Sequence, residues 1–420
     1  MRPFPHLSNR GFSIVELLVA MLIGLIGMII IFQVFEVSEG IKRTTTSGGD
    51  AQQNGAVALY VIEHDLRNAG MGFNDVSYAG CNILAWDSKR ATPDFTMSLV
   101  PVLITPGAAA TIPDKVTVFY GSKPMIANPT MLAANMTGVA PDDLFLMNPY
   151  AYSAGDLLVL LEPASGRNCS LMEATGLGPL LQIEHRPGVA YLVLDTKEVA
   201  HFNKPGGLGV VYGGVGSPTG NVTRVFNLGN PYDPANGSGT PVNNTYSIEA
   251  GNSLTVSAAF TSKDVLSAPL TNAVADNIVQ LRAQYGLDDG VGDLASVPFG
   301  GGKFVAGDGL VDRFVSAAAF NALPTPPWQY LIAVRLAIVA RSALPEKPSG
   351  SDGTKCDATT DSSEATTSPD RRPTWSGSLA PIDVSASGDP DPASPVFWKC
   401  YRYRVFETTV PLRNWIWKSS

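Results

Sequence analysis

The chain has 420 residues with 29 Lys and Arg against 37 Asp and Glu, a formal net charge of −8, and only 16% of its residues charged. With no basic excess to neutralise phosphates, nucleic acid is not an expected partner. The 41 Gly and 32 Pro favour turns and short strands over a helical bundle, and the length allows one large domain or two smaller ones with a sizeable core.

The first predicted element is "NRGFSIVELLVAMLIGLIGMIIIFQVF". From Phe12 to Phe35 the only charge is Glu16. As a helix this run spans roughly 36 Å at about 1.5 Å per residue, enough for the ~30 Å hydrocarbon core of a bilayer. Arg2 and Arg10 precede it, which favours a cytoplasmic N-terminus, while Lys42 and Arg43 follow only after Glu36 and Glu39. The run is longer than the apolar core of a cleaved secretory signal, and "EVSEGIKRTTT" after it offers no small-residue cleavage site. A plain anchor leaves Glu16 unexplained, because a carboxylate in hydrocarbon is costly unless paired.

Next comes "TTTSGGD", where Gly48 and Gly49 predict a weakened helix, and then "AQQNGAVALYVIEHDLRNAG". There Leu59, Ile62, Leu66 and Ala69 fall on one helical face, and Gly70 and Gly72 mark its end. The expected long helix therefore has a membrane half and an amphipathic half that packs on a globular domain.

Beyond residue 80 the pattern is β-rich, with "KVTVFY", "DLLVLL", "VAYLVL" and "SLTVSAAF" as short strands. "NAVADNIVQLRAQYG" can be read as helix then strand, and the pattern does not separate the two. "QYLIAVRLAIVARS" and "CYRYRVFETTV" alternate as strands that could pair antiparallel. From Glu346 to Pro395 the chain is rich in Ser, Thr, Asp, Gly and Pro and reads as a long exposed loop. No internal repeat stands out.

Cys81, Cys169, Cys356 and Cys400 form no C-x-x-C pair, so a zinc site is not expected; an even count at wide spacing suits two disulfides in an oxidising compartment. We pair Cys81 with Cys169 and Cys356 with Cys400, one of three possible connectivities. It would tie down the Ser/Thr-rich loop and contribute on the order of 4 kcal/mol per bridge. Of the four histidines, His6 lies near the N-terminus, His64 is expected on a solvated helix face, and none joins His185 or His201 in a triad or H-E-x-x-H pattern. "GGLGVVYGGVGSPTG" lacks phosphate-loop spacing and reads as a flexible loop. Asp288, Asp289, Asp293, Asp308 and Asp312 could offer hard oxygen ligands to a structural calcium, without the register or closing glutamate of an EF-hand; the plainer reading is a solvated acidic loop. No other cofactor and no catalytic residue is expected.

"RGFSIVELLVAMLIG" resembles the signal of type IV prepilins: a short basic leader ending in glycine, an aromatic residue, and a glutamate five positions into an apolar helix. "HDLRNAGMGFNDVSYAGC", "AGDLLVLLEPASGRNC", "VQLRAQYGLDDGVGD", "WQYLIAVRLAIVARS" and "YRYRVFETTVPLRN" resemble, in the same order, stretches of the PilW-like minor pilin family. One departure is the insertion of "LASVPFGGGKFVAG" before Asp308 and Asp312.

The resemblance implies an α+β, type IV pilin-like fold. Its parts would be a leader over 1–11, a transmembrane or filament-core helix over 12–35, an amphipathic half over 36–72, and a β-rich domain with antiparallel sheet over 73–420. It also implies cleavage between Gly11 and Phe12 by a prepilin peptidase, with N-methylation of Phe12. Glu16 would be an assembly residue paired with a neighbouring subunit's amine. The implied partners are other minor pilins, the major pilin and the inner-membrane assembly platform. The implied location is the bacterial inner membrane as a single pass with the C-terminal domain in the periplasm, then the pilus at the cell surface. A minor pseudopilin of type II secretion shares the signal, and an anchored periplasmic adhesive or enzymatic module is the alternative from another class.

Overall fold

In a computed structural model of the protein, the structure describes residues 13–73, 75, 78–123, 129–136, 143–150, 152–161, 169–179, 182–193, 196–206, 218–231, 240–260, 270–292, 304–323, 326–347, 356, 358–360, 371–392, 394 and 396–416. It opens on one helix, α1 (Ile14–Asn68), of 55 residues. Ser13 caps it, its hydroxyl accepting from the amide of Val15 at 3.3 Å. No proline interrupts the helix, and it runs unbroken through Gly48 and Gly49. The expected weakening there does not occur: each glycine costs about 1 kcal/mol relative to alanine, and tertiary packing of the second half supports the helix beyond them. The helix stops where Gly70 and Gly72 take φ of 80° and 89°, values that a side chain disfavours.

Short strands follow: β1 (Cys81–Trp86), β2 (Asp94–Leu99), β3 (Val102–Thr105), β4 (Lys115–Tyr120), β5 (Thr130–Met131), β6 (Leu157–Leu161) and β7 (Cys169–Glu173). Two small ribbons are β8 (Gly176–Leu177) with β9 (Ile183–Glu184), and β10 (Ala190–Val193) with β11 (Thr196–Val199). Then come β12 (Arg224–Gly229), β13 (Val242–Glu249), β14 (Ser253–Ala258), β15 (Leu270–Asp276), β16 (Ile278–Leu287) and β17 (Arg313–Ser316). A short helix α2 (Ala317–Asn321), β18 (Leu331–Arg341), β19 (Tyr403–Pro411) and a terminal turn of helix α3 (Arg413–Ile416) complete the chain.

The strands form three larger sheets. The distal sheet has the order β2-β1-β7-β6-β12-β5, antiparallel except where β1 meets β7. The middle sheet is β15-β14-β13-β4-β3, and the third, the seat sheet, is β17-β16-β18-β19. The ambiguous stretch 272–286 holds no helix but two strands, and Asn277 between them, at φ 58°, turns the chain from the edge of the middle sheet into the seat sheet. β18 and β19 pair antiparallel from Ala333 opposite Pro411 to Arg341 opposite Tyr403, as their alternation predicts.

One core joins the second half of α1 to all three sheets, and a smaller one built on Leu132, Leu144, Leu160 and Ile183 lies under the outer face of the distal sheet. Disulfides Cys81–Cys169 and Cys356–Cys400 both form. The first staples β1 to β7, and the second anchors the chain ahead of β19.

The described part of 346–395 is irregular and much of its surface is exposed, with a buried anchor in its middle. Residues 371–392 form an irregular strap across the face of the seat sheet opposite α1, and Ile382 and Val384 are buried against Val279 and Val339. Low-complexity composition hid the strap because most of its anchors are backbone carbonyls, which composition does not record.

Candidate functional site: the N-terminal helix and its seat

The two halves of α1 meet different surroundings. From Ile14 to Ile41 the large apolar side chains are exposed, Ile14 by 80% and Phe32 by 67%. One 18-residue window has a mean hydropathy of 2.9 and is wholly unburied, long and apolar enough to cross a membrane. The first residue of the helix that the domain buries is Ser47. About 33 residues precede it, roughly 50 Å of helix, along which Lys347 Nζ reaches Glu36 at 3.2 Å.

Glu16 stands in the first turn, three residues after the Ser13 cap, an S-x-x-E spacing that places its charge near the positive end of the helix. It is exposed and has no partner among the described residues. Gly11 and Phe12 lie outside the described residues.

The second half is seated. Ala51, Ala58, Ile62, Leu66 and Ala69 are buried, with Leu59 half-buried beside them, so the predicted stripe is the packed face. Contacts run to β19, β18 and β15. Gly55 lies against the ring of Phe406; a Cβ there would collide with that ring, so glycine sets how closely helix and strand approach. Asp65 is the polar latch of the seat. It accepts from Tyr120 Oη at 2.9 Å, Asn244 Nδ2 at 2.8 Å and Tyr246 Oη at 2.6 Å, all from the middle sheet. Burial, and then the Asp65 carboxylate, push both tyrosines above the ordinary phenol range.

The chain's other end closes over the helix terminus. Asn414 Nδ2 donates to the carbonyl of Asn68 at 3.1 Å, and Trp415, fully buried, packs beside Gly70 and donates from Nε1 to the Trp328 carbonyl at 3.1 Å.

Sequence reasoning missed Asp65, which lies on the same turn as Ile62 and Leu66; a lone acid inside an apolar stripe was the available signal. It also missed the polar row on the far face of the seat sheet that pins the strap. Gln284 Nε2 donates to the Gly377 carbonyl (2.7 Å), Arg335 to Ser376 (3.1 Å) and Gln280 to Asp383 (2.9 Å), while Glu407 accepts from the Ser376 amide (2.8 Å).

The histidines and acids fall as follows. His64 is solvated as expected. His201 is buried and meets Asp87 through Nδ1 at 2.8 Å. Burial acts to raise the Asp87 pKa, yet the hydrogen bonds from His201 and the Lys89 amide, with Arg90 nearby, hold it below the usual carboxylate value. Glu173, under the same sheet, accepts from the amides of His201 and Phe202 and from Tyr191, and burial holds its pKa up. Asp156 is likewise raised by burial, against the pull of Lys123 at 3.2 Å. These groups tie loops to the distal sheet.

In the acidic loop, Asp288 and Asp312 are buried rather than solvated. Asp288 caps the amides of Gly307 (2.5 Å) and Gly309 (2.8 Å), Asp312 caps Gly290 (2.6 Å), Asp308 accepts from the Leu310 amide (2.9 Å) and Asp289 pairs with Arg313 (2.6 Å). Asp293 lies outside the described residues, as does most of the glycine-rich stretch 206–220. Among the described residues no three His, Cys, Asp or Glu side chains gather as they would to hold a metal.

Two family models match the chain. That of the prokaryotic N-terminal methylation motif covers residues 7–32, the start of α1 with Glu16. That of the type IV pilus-assembly protein W covers residues 255–414, from β14 through the seat sheet and strap to Asn414. The motifs around Asp65 and Asp156 lie outside both segments. No curated protein and no solved structure matches the chain.

Proposed function

We propose that this chain, a PilW-like type IV pilus protein and a structural component of that system, acts as a minor pilin in assembly or initiation of the fibre, near its tip. One observation carries the reading. A single helix is half seated in a folded domain and half bare, and the bare half opens on an acid with no partner among the described residues. In the bilayer the apolar side chains of that half face lipid. In a fibre they face the same segment of neighbouring subunits.

A carboxylate in such a bundle is stable when another chain supplies a cation. Cleavage between Gly11 and Phe12 by a prepilin peptidase would create that cation, the new amine, four residues from Glu16 on a neighbouring helix of matching register. The domain, on the periplasmic side, would then offer its sheets to other minor pilins and the major pilin, with the assembly platform below. The two disulfides suit that compartment.

The direct test is mass spectrometry of the mature N-terminus. N-methylated Phe12 is expected in the wild type, and Gly11→Val is expected to accumulate full-length precursor in the membrane. Normal trimming of that variant would sink the proposal.

A further inference from the structure

Where the chain leaves the middle sheet and passes the distal sheet, an amine, a carboxyl and a carboxamide meet. Lys123 follows β4, Asp156 immediately precedes β6, and Asn227 lies near the end of β12. Lys123 Nζ stands 3.2 Å from Asp156 Oδ1, and Asn227 Nδ2 donates to Asp156 Oδ2 at 2.7 Å. One carboxyl group thus touches both nitrogens, each through its own oxygen. Asp156 and Asn227 are fully buried, while the Lys123 side chain keeps 27% of its surface.

The backbone holds the three in place. A bulge between Asn227 and Gly229 interrupts the pairing of β12 with β6, and bulges re-aim side chains. Here the Asn227 carboxamide folds back, and its Oδ1 accepts from the Gly229 amide at 2.9 Å. The Ser122 amide donates to the Leu228 carbonyl at 2.7 Å, which ties the root of Lys123 to the same bulge. Gly229 has φ of 104°, and a Cβ there would collide with the Ser122 hydroxyl and lie 3.5 Å from Lys123 Cγ. Glycine therefore sets how closely the lysine segment approaches β12.

An ordinary lysine ion pair does not need this setting. Lys204 with Asp94 and Lys347 with Glu36 are pairs whose acid stands in solvent, 69% and 70% exposed. At Asp156, burial holds the carboxyl pKa up against the pull of Lys123, which favours passage of the amine's proton to the acid and leaves a neutral, nucleophilic amine. The carboxamide beside it has its oxygen on a backbone N–H, the arrangement that stabilises the oxyanion of a tetrahedral intermediate. Its nitrogen, the leaving group of such a reaction, rests on the acid that can protonate it. The flexible four-carbon stem of the lysine supplies the last approach of Nζ to Cγ.

We propose that Lys123 and Asn227 join in an intramolecular amide bond, with Asp156 as the proton shuttle. Lys123 Nζ gives a proton to Asp156 and attacks Asn227 Cγ, and the oxyanion rests on the Gly229 amide. Asp156 protonates Nδ2 and takes the second proton from Nζ. The Cγ–Nδ2 bond then breaks, and ammonia leaves with that last proton as ammonium. An alkylammonium and a carboxamide thus become a secondary amide and an ammonium ion, with no oxidant or cofactor. The bond ties the chain beyond β4 of the middle sheet to β12 of the distal sheet, and reduction, which opens the Cys81–Cys169 staple, leaves it intact.

Peptide mapping by mass spectrometry of the full-length protein, purified in detergent and fully reduced, tests it. One branched peptide carrying both Lys123 and Asn227 is expected, lighter than its two arms together by one ammonia, about 17 Da. Lys123→Arg keeps a positive charge beside Asp156 but offers no nucleophilic amine, and should give the two arms separately at full mass. Asp156→Asn keeps the size of the shuttle without its proton transfer and should lower the linked fraction at least about tenfold. If Asp156→Asn does not fold, Lys123→Arg, at a part-exposed position, decides. Separate arms from the wild type overturn the proposal, as does a branched peptide that survives Lys123→Arg. A branch at Asp156 with loss of water instead of ammonia overturns it too, since Asp156 would then be the partner and not the shuttle.

Discussion

The two halves of α1 share one backbone conformation and little else. The first half exposes isoleucine, leucine and phenylalanine on every side, while the second buries a stripe of alanines with Ile62 and Leu66. Glu16 lies within the apolar run of the first half and Asp65 on the apolar stripe of the second, and the contrast between them is the most informative feature of the molecule. Asp65 has three donors within its own chain. Glu16 has none among the described residues. A helix face whose polar group is satisfied at home belongs to the fold, whereas one whose polar group waits for a partner belongs to an assembly.

That contrast can be broken or sharpened by substitution, with stability read by denaturant or thermal unfolding of the full-length protein in micelles. The largest effect is expected at the seat's lid. Trp415→Ala removes a fully buried indole and should cost about 4 kcal/mol. A loss below about 1 kcal/mol would show that the C-terminal turn does not hold the helix end.

Asp65→Ala comes next, at about 3 kcal/mol, since three buried donors lose their acceptor. Asp65→Asn, which keeps one acceptor oxygen, should lose less. Equal losses would locate the effect in the charge rather than in the hydrogen bonds.

The glycines of the helix supply a smaller and signed comparison. Gly55→Ala forces a methyl group against Phe406 and should destabilise by about 1–2 kcal/mol despite the better helix propensity. At Gly49 a Cβ meets nothing within 4 Å, so Gly49→Ala should stabilise by up to about 1 kcal/mol. The same sign at both positions would mean that helix propensity alone governs α1.

Glu16→Ala should change stability least, by under about 0.5 kcal/mol, because Glu16 is exposed and has no partner among the described residues. Its effect is expected elsewhere. In cells lacking the native copy, membrane level and the mature N-terminus should be normal while surface pili fall in number. Glu16→Gln should behave like the alanine variant, since it keeps size but loses the charge. Full piliation by both variants would make Glu16 a tolerated interfacial acid.

The sequence by itself determined the parts that depend on local pattern. The apolar run, Glu16 within it, the stripe of Ile62, Leu66 and Ala69, the glycines that end the helix and the antiparallel partnership of β18 with β19 were all legible, because side-chain periodicity reports which face of an element is buried. The pairing of Cys81 with Cys169 and of Cys356 with Cys400, chosen from three connectivities, is the one that forms, with Cys81 on β1 and Cys169 on the adjacent β7.

Tertiary structure alone decided the rest. It kept Gly48 and Gly49 helical, made strand of the ambiguous stretch around Asn277, and seated a Ser- and Pro-rich segment as a strap held by Gln280, Gln284 and Arg335. It also turned the acids at 288 and 312 into caps for loop amides far along the chain. The physical reason is common to all four. Their stability comes from hydrogen bonds and packing between residues distant in sequence, and many of the partners are backbone groups that every residue carries, so no local pattern marks them.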